Sequence, residues 1–237
     1  MIGTWLGCII GGYVLGSIPF GVLIGRAHGV DVRTQGSQNI GATNVGRVLG
    51  RRWGLLCFFL DMAKGAVPVA IAGILTGLYE EDIFTVPGQW WLWLAVGFAA
   101  LLGHMYSFFL RGSGGKGVAT TFGALLAMWP VMTIAVGAAF IIWAVLLGLF
   151  RMVSLASMVA SICIPIVVFA VLQYMAFMRE TATIGLTPNV DLPLAPIIIS
   201  VLLAALVIWK HRGNIARIRM GTERRIGQGS GRDTASQ

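Results

Sequence analysis

Three short polar segments hold most of the side chains in this chain that could bind or activate a charged small molecule. The first reads Gly36-Ser37-Gln38-Asn39-Ile40-Gly41-Ala42-Thr43-Asn44-Val45-Gly46-Arg47. Its glycines let successive backbone N–H groups turn toward one anion. Ser37, Asn39, Thr43 and Asn44 add donors, and Arg47 supplies a planar fork. Such a loop suits a phosphate, but a polar turn between two helices would share its composition. The second segment, Gly112-Ser113-Gly114-Gly115-Lys116-Gly117, leads into an apolar run at Val118. Glycine-rich backbone before a helix start is an anion site, and Lys116 adds a point charge. It is not a nucleotide P-loop, because Leu110 and Gly117 stand where that motif needs Gly and Ser or Thr. A flexible hairpin with one basic residue is the competing reading. The density of glycine beside a membrane surface favours the anion site. The third segment, His211-Arg212-Gly213-Asn214-Ile215-Ala216-Arg217, puts His211 and Asn214 at i,i+3, on one helix face. Taken alone, it reads as a basic helix touching anionic lipid.

Other polar residues read as structural. Asp61 and Lys64 stand at i,i+3 inside an apolar run, where ionisable groups persist only when paired. His104 reads as a hydrogen-bonded packing residue. Ser154 and Ser157 open another apolar run, where small residues serve helix contact, and Ser154 is also a binding candidate. HExxH and GxSxG motifs are absent, as is any clustered His/Cys metal set. No His-x4-Asp pair exists either, since Arg33, Phe109 and Ala216 follow the three histidines at that spacing. The sequence calls for neither a metal nor a cofactor.

The elements that must position these segments are membrane helices. Only 11% of the 237 residues are charged, against about 25% in soluble domains, and 57% are hydrophobic. The mean hydropathy is +0.84. Long apolar runs favour helices over a barrel, whose strands would alternate. The net charge of +8 is therefore read by position, as a cytoplasmic excess of Lys and Arg, and not as a sign of nucleic acid. Cys8, Cys57 and Cys163 all lie in apolar runs and suggest no thiol chemistry.

Apolar runs cover Met1–Gly25, Trp53–Tyr79, Trp90–Leu110, Val118–Phe150, Val153–Met178 and Leu192–Trp209. No basic residue precedes the first, so it is expected to be a retained span that starts outside. The run Val118–Phe150 has 33 residues, more than the roughly 25 that one crossing takes, and Pro130 interrupts it. Charge decides how to count it. Segment 26–52 and the tail from Lys210 are rich in Arg, whereas loops 79–89 and 179–191 are acidic. Keeping the basic segments on one side requires an even number of crossings between them, so 118–150 counts twice. The expectation is an all-α polytopic fold of seven transmembrane helices, with the N-terminus outside and the C-terminus cytoplasmic. The fourth span is short, near 117–128. Residues 1–227 form one membrane domain, and 228–237 form a disordered tail.

Read together, these motifs resemble the bacterial acyl-phosphate:glycerol-3-phosphate acyltransferases, the PlsY family. The resemblance rests on Gly16-Ser17-Ile18-Pro19-Phe20-Gly21, Gly36 through Asn44, Asp61 with Lys64-Gly65, and Gly103-His104. It rests also on Gly114 through Thr120, His211-Arg212 with Asn214-Ile215, and Gly221-Thr222-Glu223. The resemblance implies acyl transfer from a fatty acyl-phosphate to the 1-hydroxyl of glycerol 3-phosphate, giving lysophosphatidic acid, in the bacterial inner membrane with the site on the cytoplasmic face. By motif match, Lys116, Ser37 and Arg47 take catalytic roles. Gly36, Asn39, Gly41, Thr43, Asn44, Gly114, Gly115, Ser154, His211 and Asn214 bind substrate or phosphate. The partners implied are the two substrates and membrane lipid. Three places depart from the family pattern: Gln38 for Gly, Ser107 for Pro, and Gly112-Ser113 for a bulkier pair. They bear on loop shape. A membrane anion transporter is the alternative, although its polar residues would sit near the midplane and not at one face.

Overall fold

The computed structural model describes residues 1–182, 192–223 and 225, and its regular elements among them are all helical. The elements are α1 (Ile2–Ser17), α2 (Phe20–Ala27), α3 (Ala42–Leu49), α4 (Arg51–Thr76), α5 (Pro87–Met105), α6 (Val118–Leu126), α7 (Val131–Phe150), α8 (Val153–Ala182), α9 (Leu194–Lys210) and α10 (Arg212–Arg219). The first apolar run, expected as one piece, divides at Ile18-Pro19, because Pro19 has no N–H for the helix ladder. The run Val118–Phe150 divides as expected, with Pro130 in the gap between α6 and α7. The expected tail disorder at 228–237 lies outside the described residues.

Five segments are long and apolar enough to cross a bilayer: Ile2–Ala27, Arg51–Thr76, Pro87–Leu110, Val131–Phe150 and Val153–Thr181. A sixth is counted if Leu194–Trp209 and Arg212–Arg219, bent by 54°, form one span. The chain is thus an all-α polytopic membrane protein. Its outward surface is apolar, with Ile74 and Leu149 each 70% exposed, as lipid contact requires. At nine residues α6 is only about 14 Å long, against a hydrocarbon core of about 30 Å.

Helices meet through glycines, since lipid offers little drive for association and close contact must come from small side chains. Gly16 of α1 rests on the Ala100 carbonyl of α5, and Gly103 of α5 on the Tyr13 carbonyl of α1. Gly65 of α4 rests on Thr120 of α6, and Gly123 of α6 on Met62 of α4. A Cβ at any of these would overlap backbone.

Side-chain contacts fix which helix ends lie together. Tyr79, just past α4, meets Trp93 of α5 edge-on at 5.2 Å. Its hydroxyl donates to the Ala127 carbonyl at the end of α6, at 2.6 Å. Arg179, near the end of α8, lies 3.4 Å from Asp82. These contacts define one end of the bundle. The start of α4, the ends of α2 and α5, and the starts of α6 and α8 fall at the other, together with all three polar segments.

Candidate active site

The first polar segment is a loop wound around one side chain. Asn44, in the first turn of α3, is 1% exposed. Its amide nitrogen donates to the carbonyls of Val32 (2.8 Å) and Gln35 (3.1 Å), and its oxygen accepts the Ser37 N–H (2.7 Å). Gly36 is left-handed at φ +61°, and a Cβ there would overlap that same Asn44 oxygen. Gln38 is also left-handed, at φ 59°, the conformation glycine adopts most readily. Asn39 accepts the Gly41 N–H at 2.9 Å, and Gly41 caps α3. The loop is seated on a small core of Val22, Val32, Ile40, Val45 and Cys57. Ser37, Thr43 and Arg47 remain exposed, with Thr43 and Arg47 one turn apart on α3. Arg33 is not available in the same way. It is paired with Asp31 at 2.7 Å, and its hydrogen bonds pull the Asp31 carboxyl down to about 2.

The second polar segment folds against the end of α5. The Gly115 N–H donates to the His104 carbonyl at 3.0 Å. Gly114 is pressed against the His104 and Met105 carbonyls, and Gly115 against His104 Nε2. Gly117 caps α6 at φ +75°, a left-handed position whose Cβ would overlap Leu101. The N–H groups of the first turn of α6 have no helical acceptors, so they form a donor set beside Lys116. Lys116 is exposed, and among the described residues neither it nor Arg47 forms an ion pair.

The third segment joins a residue that the spacing alone did not reveal. After α10 the chain turns at Gly221, φ +71°, and brings Glu223 back. Its Oε1 accepts from Ser154 Oγ (2.6 Å) and Asn214 Nδ2 (2.7 Å), and its Oε2 from Arg217 Nε (2.8 Å). Burial opposes ionisation of Glu223, but these hydrogen bonds from Ser154, Asn214 and Arg217 outweigh it and hold the carboxyl below the usual range. Both Ser154 and Asn214 are thus engaged by the chain's own carboxylate. His211 Nδ1 donates to the Val207 carbonyl at 2.8 Å, which fixes the tautomer and turns Nε2 outward from that bond. The i,i+3 spacing that paired His211 with Asn214 extends one step to Arg217. That step is the signal by which Arg217 could have been found.

Beneath the glycine loop lies a buried polar cluster. Lys64 Nζ is 3.0 Å from Asp61 Oδ1 and donates to the Ile18 carbonyl at 2.9 Å. His104 Nδ1 lies 3.8 Å from Asp61 Oδ1. The Asp61–Lys64 pair is therefore matched as expected, and it ties α4 to the break between α1 and α2.

A family model for glycerol-3-phosphate acyltransferases matches residues 6–221. The chain is 43% identical over 215 residues to a glycerol-3-phosphate acyltransferase of Geotalea daltonii, covering 91% of this chain and 94% of that protein. It is 38% identical to one of Aquifex aeolicus, covering 92% and 97%. Its structure is similar to the crystal structure of PlsY, an integral membrane glycerol 3-phosphate acyltransferase, in the glycerol 3-phosphate form. That match has a TM-score of 0.73 at 35% identity and covers 94% of this chain and 96% of the other. The lysophosphatidic acid form matches with a TM-score of 0.72.

Proposed function

The chain belongs to the glycerol-3-phosphate acyltransferase family, and on that footing we propose a reaction course and a set of residues for it. The protein is an acyltransferase of the bacterial inner membrane. It moves an acyl group from a fatty acyl-phosphate to glycerol 3-phosphate and forms lysophosphatidic acid. The observation that carries the assignment of the site is the shared end of the bundle. Two glycine loops, each with an exposed cation that forms no ion pair among the described residues, Arg47 and Lys116, sit there beside the free N–H groups of α6.

An acyl-phosphate is a mixed anhydride with a good leaving group. The glycerol 1-hydroxyl attacks the acyl carbon, the bond from that carbon to the phosphate oxygen breaks, and inorganic phosphate leaves. The hydroxyl proton passes to a substrate phosphate oxygen. The protein's task is to bring two anions together against their repulsion and to stabilise the charge that moves onto the leaving phosphate. Lys116 and the amides of Gly114 and the α6 start meet one phosphate, while Gly115, whose own N–H is held by the His104 carbonyl, shapes that loop. Ser37, Thr43 and Arg47 meet the other, on a loop shaped by Gly36, Asn39, Gly41 and Asn44. His211 offers its Nε2 from the third segment, where Ser154 and Asn214 hold the tail through Glu223. The acyl chain lies between helices, open to lipid.

The finer topology belongs to the same reading. Residues 1–227 make one domain of seven crossings, with α6 as the fourth, the N-terminus outside, and the site and C-terminus on the cytoplasmic side. Charge parity supports this. So does the hydrogen bond from Tyr79 to Ala127, since α6 starts at the level of His104 and ends at the opposite side's Tyr79.

The test is to supply purified protein with glycerol 3-phosphate and one donor at a time: acyl-phosphate, acyl-CoA or acyl carrier protein. Lysophosphatidic acid is expected with acyl-phosphate and little or none with the thioesters. Equal rates from acyl-CoA would overturn the donor assignment.

A further inference from the structure

We infer that His104 is a positioning residue for acyl transfer, an imidazole wedged between the buried Asp61–Lys64 pair and the glycine loop so that Gly115, and with it Lys116, stands at a fixed height over the phosphate. The inference rests on the reading of segment 112–117 as the phosphate loop.

Several independent contacts bear on the ring. His104 is 4% exposed, in the last turn of α5. One edge faces Asp61, with Nδ1 at 3.8 Å from Oδ1. That nitrogen is buried and has no hydrogen-bond partner among the described residues, an arrangement that a mere packing role does not account for. Asp61 is itself immobilised, by Lys64 at 3.0 Å and by the Cys57 thiol at 3.6 Å on its other oxygen. The opposite edge of the ring, at Nε2, lies directly under Gly115, where no Cβ could be fitted. The residue's own carbonyl accepts the Gly115 N–H at 3.0 Å. Backbone and side chain of one residue thus both set the place of the glycine that precedes Lys116.

The support below the ring is rigid. α4, which carries Asp61 and Lys64, is locked to α6 by Gly65 on Thr120 and Gly123 on Met62. Lys64 also binds the Ile18 carbonyl, where α1 ends. A helix on each side of the loop is therefore registered to the same ion pair, and His104 transmits that register to the loop backbone. Lys116 has no ion pair of its own among the described residues, so its reach toward a phosphate depends on the backbone beneath it. Misplacing a charged group by about 1 Å can cost up to about a hundredfold in rate.

Three substitutions separate positioning from simple packing. An Asn amide reaches the place of Nδ1 but not of Nε2, whereas a Gln amide reaches the place of Nε2. Purified His104→Ala, His104→Asn and His104→Gln are compared with wild type and with Lys116→Ala. Initial rates are measured against glycerol 3-phosphate and acyl-phosphate, and are normalised to protein that melts cooperatively. His104→Ala and His104→Asn are expected to lose at least tenfold in kcat/KM per folded molecule, and His104→Gln to recover a substantial part of it. Wild-type constants in all three, or a loss that follows only the amount of folded protein, would overturn the inference. So would equal loss in His104→Gln and His104→Asn. If His104→Ala does not fold, the comparison of Gln with Asn decides. Lys116→Ala keeps the two ideas apart. An unimpaired Lys116→Ala removes the phosphate-loop reading itself. A loss of about a hundredfold there, beside normal His104 variants, removes only the inference.

Discussion

Gln38 occupies a left-handed backbone position, φ 59°, two residues after Gly36 at +61°. For a residue with a Cβ that conformation costs about 1–2 kcal/mol. Glycine relieves the cost but loses more conformational entropy on folding, by about 0.5–1 kcal/mol. Gln38→Gly should therefore stabilise the protein by about 0.5–1 kcal/mol. At this size, a thermal melt would show a rise of about 1–4 °C. Gly36→Ala should do the reverse, because its Cβ meets the Asn44 oxygen that holds the Ser37 N–H. A lower melting temperature for Gln38→Gly would mean that the Gln side chain makes a compensating contact. The sequence already marked Gln38 as a departure that bears on loop shape. In the structure the loop keeps the glycine conformation, so the departure shows in strain and not in shape. Asn44 was legible as a polar residue of the loop. Its burial was not, because nothing in its spacing indicates that the chain from Val32 to Ser37 wraps around it.

The same contrast holds for α10. The common face of His211 and Asn214 follows from helical spacing. The return of Glu223 does not, since it depends on the turn at Gly221 and on α8, which lies far away in sequence. That carboxylate fastens the third segment to the start of α8. Its pKa is depressed in the folded state, so its contribution is fully present above the ordinary glutamate value and is lost as pH falls through the folded value. A spin label on a cysteine replacing Arg219, in a background lacking the native cysteines, reads this directly. The label should be restrained at pH 7 and loosen as pH falls below about 4.5, the ordinary glutamate range. Glu223→Ala should be loose at both. A Glu223→Ala label that stays as restrained as wild type at pH 7 would show that α10 is held by something other than this carboxylate.

At the scale of the molecule, composition and charge made the membrane class and the helical fold legible, and Pro130 marked the break in the longest run. The glycine crossings were not legible. Gly16 and Gly103 look no different in sequence from Gly3 or Gly7, where an added Cβ would meet nothing within 4 Å among the described residues. Whether α6 crosses is the point on which the arrangement turns, because its nine residues fall short of a bilayer unless the glycine loop enters it. Three single cysteines settle it, replacing Glu81, Ser113 and Arg219, all exposed, in a protein without Cys8, Cys57 and Cys163. Between Glu81 and Ser113 the chain crosses once, through α5. In the proposed seven-span arrangement it crosses four times between Ser113 and Arg219, through α6, α7, α8 and α9, and three times if α6 does not span. A membrane-impermeant maleimide applied to sealed vesicles of known orientation should label 113 and 219 from one side and 81 from the other. Labelling of 219 from the same side as 81 would leave α6 as a re-entrant helix and put the basic tail outside. The excess of Arg in that tail makes such an outcome costly, since juxtamembrane Lys and Arg are retained on the cytoplasmic side. It would also separate His211 from Lys116 by the thickness of the membrane, and no shared phosphate site would survive.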